Sequence, residues 1–305
     1  MNYGQVHHIE YYVNDLKTSN TFWSWFMPLM GYSKSNEWSE GVSWAHSNGT
    51  YLVFVQVQEA YKHLTNNRQC NGLNHIAFMG NTLAALDMLE SALQEKQIKI
   101  LKRDGDYLCF EDPNGFAIEV YADKNAIEQP RIETNRLILE PYKDSDVKDV
   151  FAYASNPKIT QYVPWSVHKN MEDAQKFLDG VRTRTSYMPG KLFFIFAIRL
   201  KETGRVIGSI DFKNPQPWIG QIDYALSVDY WNKGIMTEAA RAVKSWAETA
   251  CPKVVRLQAG CLAENKGSSS VMEKLGMKFE GIRPKSHYWG NDQYADLAFY
   301  SMVIK

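Results

Sequence analysis

Four cysteines in 305 residues are few, and Cys70, Cys109, Cys251 and Cys261 fall into no CxxC pair. That argues against a disulfide scaffold or a structural zinc site and fits a reduced, cytoplasmic protein. No run of about 18 apolar residues occurs, so no transmembrane helix is expected. The N-terminus, Met1 to His8, lacks a basic stretch leading into an apolar one, which argues against a signal peptide. Collagen-like repeats and low-complexity tracts are missing too. With 45% hydrophobic and 22% charged residues, the chain has the apolar content of a packed protein. Nor does one sign of charge dominate, since 34 Lys+Arg balance 34 Asp+Glu.

The length suggests two domains at about 100–200 residues each. The charge balance is uneven along the chain. Residues 1–128 hold 9 basic and 15 acidic side chains, whereas residues 129–305 hold 25 and 19. The boundary falls in the polar stretch from Asp123 to Pro130, and proline suits a linker because it cannot donate to a sheet. The expected domains are therefore 1–128 and 129–305. A basic half can face a phosphorylated ligand. No nucleic-acid signature accompanies it, so phosphate in a cofactor is the expectation.

The first half repeats itself. Val6-His7-His8-Ile9-Glu10-Tyr11 matches Leu73-Asn74-His75-Ile76-Ala77-Phe78, and each run reads as a strand. A helical pattern follows each: Phe22, Trp25, Phe26, Leu29 and Met30 before Gly31, then Leu83, Leu86, Leu89 and Leu93. Each copy closes with a glycine turn and an apolar strand. These are Asn48-Gly49 before Tyr51–Val55, and Asp112-Pro113-Asn114-Gly115 before Phe116–Val120. Trp38 and Trp44 fall outside the helix pattern and could pack in the core or line an aromatic cavity.

His8 and His75 occupy equivalent repeat positions, and Glu119 interrupts an apolar strand. A strand histidine is usually a satisfied core or rim residue. A buried carboxylate is harder to dismiss, because it is costly unless paired or bound to a metal. Two histidines and one carboxylate can form a facial triad with open coordination positions. These residues, with Val13-x-Asp15-Leu16 and the Asp-Pro-Asn-Gly turn, make residues 5–122 resemble the vicinal oxygen chelate superfamily of glyoxalases, bleomycin-resistance proteins and extradiol dioxygenases. The resemblance implies two βαβββ modules and a divalent ion (Zn, Ni, Mn or Fe) on His8, His75 and Glu119. Gln56 is the nearest candidate for a fourth ligand. Some members lack metal and sequester drugs.

The second half alternates strands and helices. Leu192–Ile198 and Val206–Ile210 bracket the turn Lys201-Glu202-Thr203-Gly204, and Ile222–Val228 is a further strand. The loop Asp229–Gly234 leads into a helix whose apolar stripe includes Ala239, Ala240, Val243, Trp246 and Ala247. Strand, glycine-containing loop and helix N-terminus can hold phosphate, because backbone N–H groups converge and the helix dipole favours an anion.

Three blocks carry a second resemblance. They are Ile132-Glu133-Thr134-x-Arg136-Leu137-x-Leu139-x-Pro141, Tyr230-Trp231-Asn232-Lys233-Gly234 with Thr237-Glu238-Ala239, and Glu264-Asn265-x-x-Ser268 before Val271-x-Glu273-Lys274-Leu275-Gly276. Residues 131–305 thereby resemble GNAT acetyltransferases, nearest to those acting on ribosomal proteins and small molecules. The resemblance implies acetyl-CoA as cofactor, its pyrophosphate wrapped by Asn232, Lys233, Gly234, Ile235, Met236 and Thr237. It implies that the strand ending at Ser227 and Val228 splays open and pairs with the pantetheine arm beside Asn265. Asn232 stands where glycine is usual, and Met236 where a small residue is usual. Ser268 falls where some relatives place an acid, although Ser268, Ser269 and Ser270 also suit a helix start with a Ser270–Glu273 capping box. His287 falls where some carry a glutamate base, and Asp296 at a structural position.

The fold expected is α+β: paired βαβββ modules followed by a mixed-sheet acetyltransferase domain. The function expected is N-acetyl transfer from acetyl-CoA to an amine of a small molecule or protein N-terminus, with no nucleic-acid or membrane partner and a homodimer as a compatible assembly. Two alternatives stay open. One is a resistance protein that sequesters and acetylates a drug. The other is a metal-dependent lyase or dioxygenase with an idle acetyltransferase fold.

Overall fold

The computed structural model describes residues 6–46, 48–64, 72–80, 82–124, 126–185, 191–290 and 293–305. Cys70 lies outside them. The chain divides into two compact units between Glu128 and Gln129.

The first unit holds β1 (His8–Val13), α1 (Leu16–Leu29), β2 (Tyr32–Trp38), β3 (Gly41–His46) and β4 (Tyr51–Gln56), then β5 (His75–Met79), α2 (Leu83–Glu95), β6 (Ile100–Asp104), β7 (Tyr107–Glu111) and β8 (Ala117–Tyr121). This is βαβββ twice over. The sheets run β1-β4-β3-β2 and β5-β8-β7-β6. β1 pairs in parallel with β4, and β5 with β8. Asp15 caps α1 by accepting the Thr18 amide at 3.1 Å, and Thr82 caps α2 through the Ala85 amide at 3.2 Å.

Both sheets turn their apolar faces to one core. Trp23 stacks on Phe54 at 4.3 Å, while Phe26 meets Phe78 at 5.3 Å and Phe110 at 5.5 Å, so α1 touches both sheets. Trp23 is the fully buried indole of α1 and Trp25 packs partly buried against the same core, whereas Leu29 and Leu83 are exposed. Trp44 is 4% exposed and belongs to this core. Trp38 is half-exposed and lies so close to Gly41 that an added Cβ there would come within 2.2 Å of the indole. Trp44 is thus a core residue, and Trp38 covers the Gly41 backbone at the β2–β3 turn.

The second unit holds β9 (Ile132–Glu133), β10 (Leu137–Pro141), α3 (Val147–Ala154), α4 (Pro157–Thr160), α5 (Met171–Arg184), β11 (Phe193–Leu200), β12 (Val206–Gln216), β13 (Ile219–Leu226), α6 (Ile235–Ala250), β14 (Arg256–Leu262), α7 (Lys266–Leu275), β15 (Lys278–Gly290) and β16 (Gln293–Val303). They form one sheet in the order β15-β16-β14-β13-β12-β11-β10-β9. Within it β13 and β14 are parallel neighbours. Strand alternation sorts the helices: Phe194, Phe196 and Phe212 meet Trp246 of α6, while Ala197 packs with Val150, Tyr153 and Leu178 of α3 and α5. At one edge the Arg199 guanidinium donates to Glu140 at 2.7 Å and to Asp146 at 2.9 and 3.1 Å. Burial alone would push Glu140 up, but Lys143 and Arg199 hold it below the usual carboxylate range.

Candidate active site

The parallel pair β13 and β14 is joined only at Ile219–Arg256, Gly220–Leu257 and Gln221–Gln258. Beyond Gln221 the strands part, while β13 stays paired with β12 as far as Leu226. The Ser227 amide donates to the Ile207 carbonyl at 2.8 Å. By the alternation of an antiparallel ladder, Tyr224 and Leu226 then direct their backbone groups to the open side. The Trp231 indole fills the last of these by donating to the Leu226 carbonyl at 2.8 Å. Unpaired backbone groups need a partner. An extended amide-bearing ligand lying along β13 would supply one.

The strand ends two residues earlier than the sequence suggests, at Leu226 rather than Val228. Ser227 caps a short 3-10 turn, Val228–Tyr230, so Ser227 and Val228 lie beyond the ladder. The loop then enters α6 through two left-handed residues, Asn232 at φ +58° and Gly234 at φ +72°. Asparagine is among the few side chains that tolerate this region, which explains why it can replace glycine at position 232. Gly234 is the N-cap and offers no side chain to bond the first turn of α6. The leading N–H groups of the helix have no intrahelical acceptor, so this end suits an anion. Ile235, Met236 and Thr237 have buried side chains and contribute only backbone here. Met236, being 5% exposed, points inward and does not narrow the approach. The Lys233 ammonium lies 5.5 Å from the Tyr230 ring centre.

A clasp not assigned from sequence holds this loop. Glu238 accepts from Thr134 Oγ1 at 2.6 Å, from the Arg136 amide at 2.9 Å and from Arg136 Nε at 2.7 Å. Arg136 Nη1 in turn donates to the Lys233 carbonyl at 3.0 Å. Burial would raise Glu238, but the Thr134 hydroxyl and Arg136 hold it below the usual carboxylate range. The three residues stood in the quoted motifs, yet the 102-residue separation of the clasp gave no local signal.

Asn265 is the N-cap of α7, its Oδ1 accepting the Ser268 amide at 3.0 Å. The helix therefore starts at Lys266, and Ser270–Glu273 lies inside it rather than forming a capping box. Ser268 is half-buried, and its carbonyl accepts from the buried Tyr224 hydroxyl at 3.0 Å. Burial pushes that phenol well above its ordinary range. Tyr224, on the open stretch of β13, is thus a hydroxyl beside Ser268 that sequence reasoning missed. His287 is half-buried on β15, paired with Ala295 of β16 after an irregularity at Arg283. Asp296 accepts the amide of Lys285, which sits at φ +49°, in keeping with a structural role.

The expected metal triad is not assembled. Glu119 and His75 do meet, Oε2 to Nε2 at 3.5 Å. Both Glu119 oxygens are engaged by tyrosines, Tyr107 Oη at 2.8 Å and Tyr121 Oη at 3.1 Å. His8 belongs to the other sheet, where it stacks on Tyr51 at 4.8 Å and approaches His7. The physical reason is the shared core. The apolar faces of the two sheets meet, so the alternating positions that carry His8, His75 and Glu119 face outward from two different sheets. Among the described residues no three His, Cys, Asp or Glu side chains gather as a metal site. Gln56 is a brace instead, accepting the Leu16 amide at 2.8 Å and donating to the Asn14 carbonyl at 2.8 Å.

A family profile described as an acetyltransferase (GNAT) domain matches residues 136–278. The solved structure of a GNAT-family acetyltransferase from Bacillus anthracis is 26% identical, covering 57% of this chain and 99% of its own, with a TM-score of 0.50. The uncharacterized protein YqjT of Bacillus subtilis is 37% identical over 126 residues, 38% of this chain and 98% of its own. A glyoxalase candidate from Bacillus halodurans, also solved, is 36% identical over 39% of this chain and 96% of its own, with a TM-score of 0.38.

Proposed function

Since the C-terminal half of this chain belongs to the GNAT acetyltransferases, we propose that it moves an acetyl group from acetyl-CoA to an amine of a small molecule or a protein N-terminus. The observation that carries this reading is the parting of β13 from β14 beyond Gln221, next to a helix whose N-terminus has no side-chain cap. The open edge of β13 suits the amide-bearing pantetheine arm. The residues from Asn232 to Thr237 suit the pyrophosphate, with backbone N–H groups as donors. Acetyl-CoA supplies an activated acetyl thioester.

The chain's own task is to place the amine and move two protons. As the amine nitrogen bonds the acetyl carbon and the carbon–sulfur bond breaks, one proton leaves nitrogen and one is needed on sulfur. His287 is the proposed base and Ser268 the proposed acid, with Tyr224 beside Ser268 as the other hydroxyl at that end of the strand. Asn265 positions the first turn of α7, and so Ser268, through its cap bond.

The first unit reads best as a ligand-binding module. Its outward sheet face carries the Tyr107–Glu119–Tyr121 group beside His75 rather than three converging metal donors. Within this chain no helix among the described residues is long and apolar enough to cross a membrane. The test is an acceptor screen on the full chain with acetyl-CoA, following the free thiol released. Amines of small molecules and of peptide N-termini form its two arms. Release with neither arm, under conditions where acetyl-CoA binds, would contradict the proposed acceptors.

A further inference from the structure

Glu119 is 8% exposed and lies on the outward face of the sheet β5-β8-β7-β6. Strand register gives it a small neighbour on each side, Ala77 of β5 and Cys109 of β7. Two residues along these strands, on the same face, stand the larger His75 and Met79 of β5, Tyr121 of β8 and Tyr107 of β7. Glu119 is thus the floor of a dip with tall walls. β5 is an edge strand and Ala77 is exposed, so the dip opens at that edge.

The charge in the dip has no fixed cation against it. The other carboxylates of this face pair with lysines, Glu111 with Lys99 at 3.1 Å and Asp104 with Lys102 at 3.3 Å. Among the described residues no lysine or arginine lies within ion-pair distance of Glu119, which takes its bonds from the Tyr107 and Tyr121 phenols at 2.8 and 3.1 Å. A carboxylate so withdrawn from water is costly until a positive group offsets it. His75 Nδ1 lies 3.1 Å from Asn74 Oδ1, an oxygen that only accepts, so the neutral imidazole carries its hydrogen on Nδ1. Nε2 then turns its lone pair to Glu119 Oε2, 3.5 Å away. Two acceptors face each other with no hydrogen between them, and a positively charged N–H donor satisfies both. The Tyr107 and Tyr121 rings, 5.0 Å apart and tilted by 54°, give such a cation an aromatic wall.

We propose that this dip binds a primary or secondary ammonium ion carrying an apolar body. The nitrogen lies against Glu119 Oε2 and His75 Nε2, and the body rests on Tyr121 and Met79, which are 38% and 54% exposed. A quaternary ammonium brings the charge but no N–H for Nε2, and a neutral alcohol brings a donor but no charge for Glu119. The inference rests on the reading of the first unit as a ligand-binding module. It gives that module the chemical class, an amine, that the second unit is proposed to acetylate.

The test is titration calorimetry of the full chain, dialysed against chelator, with phenethylammonium, its trimethylated quaternary form and phenethyl alcohol. A charge-assisted hydrogen bond corresponds to roughly tenfold in affinity. Wild type should therefore bind phenethylammonium about tenfold or more tightly than either of the other probes. Glu119→Gln keeps an acceptor oxygen for Tyr107 and should bring phenethylammonium down to the affinity of the alcohol, leaving the alcohol unchanged. His75→Ala, at a half-exposed edge position, should narrow the gap between the primary and quaternary forms. Equal binding of phenethylammonium and the alcohol by wild type would overturn the proposal. So would a folded Glu119→Gln variant that keeps the preference, or binding that appears only when a divalent ion is added back. Binding of none of the probes would overturn the binding-module reading as well, whereas thiol release from acetyl-CoA reports on the second unit separately.

Discussion

Substitution of Gly234 separates backbone strain from phosphate repulsion. Gly234 sits at φ +72°, and an added Cβ would meet only Arg136 Nη2, at 3.7 Å. Space is therefore available, and the cost is conformational, about 1 kcal/mol for an ordinary residue in the left-handed region. Asparagine and aspartate tolerate that region best, so Gly234→Asn and Gly234→Asp should both fold. Their Tm values should fall within a few degrees of wild type, since about 1 kcal/mol shifts a domain of this size by roughly 2–4 °C. The two variants differ by one negative charge. At a separation of roughly 5 Å and an effective dielectric of about 20, one charge pair is worth about 3 kcal/mol. If the loop holds the pyrophosphate, Gly234→Asp should bind acetyl-CoA about 100-fold more weakly than Gly234→Asn, and the gap should narrow as salt rises. Titration calorimetry at two ionic strengths measures this. Equal affinities for the two variants would remove the pyrophosphate from the loop.

Other outcomes follow from the same geometry. His287→Ala should lower kcat/KM for the acceptor by roughly 10²-fold and leave acetyl-CoA affinity unchanged, the split expected of a general base; wild-type kcat/KM would sink the assignment. Glu238→Ala should weaken acetyl-CoA binding by freeing Arg136 from the Lys233 carbonyl, whereas unchanged affinity would make the clasp irrelevant to the loop. Arg199→Ala should destabilise the second unit by about 3 kcal/mol in denaturant titrations, because it leaves the buried Asp146 without its cation and Glu140 with only its rim partners Lys143 and Arg131. Glu140 is held below its ordinary range, so its stabilisation is complete above the unfolded value and lost as pH falls through the lower folded value. Denaturant midpoints measured downward from pH 5 should show that loss, and its absence would contradict the pairing. Chelator dialysis should leave the Tm and the Glu119 region unaltered; stoichiometric divalent metal that disappears with His75→Ala would show that the outward donors are used after all.

The strands and helices of both units were legible where a period was clean. Leu86, Leu89 and Leu93 mark α2, and Ala239, Ala240, Val243 and Ala247 mark α6, because one face of each is buried. In α1 both Trp23 and Trp25 abut the apolar stripe, and the full burial of Trp23 against Phe54 was not legible because that contact is made by a distant strand. The loop from Asn232 to Thr237 was legible as a motif. Its positive φ at Asn232 was not, since only the backbone reveals why a glycine site accepts asparagine. That His75 and Glu119 meet while His8 lies on the other sheet was not legible locally, because which way the two repeats turn their polar faces depends on their shared core. Hydrogen bonds between distant residues, such as Glu238 with Arg136, carry no periodic signal and emerge only from the folded chain.

The central claim is that the edge of β13 beyond Gln221 receives acetyl-CoA. Hydrogen exchange at the amides of Tyr224 and Leu226, with and without acetyl-CoA, tests it most directly. These amides face the open side and should exchange readily in the free protein and become protected when the cofactor lies along the strand. Saturating acetyl-CoA that leaves their exchange unchanged would contradict the account.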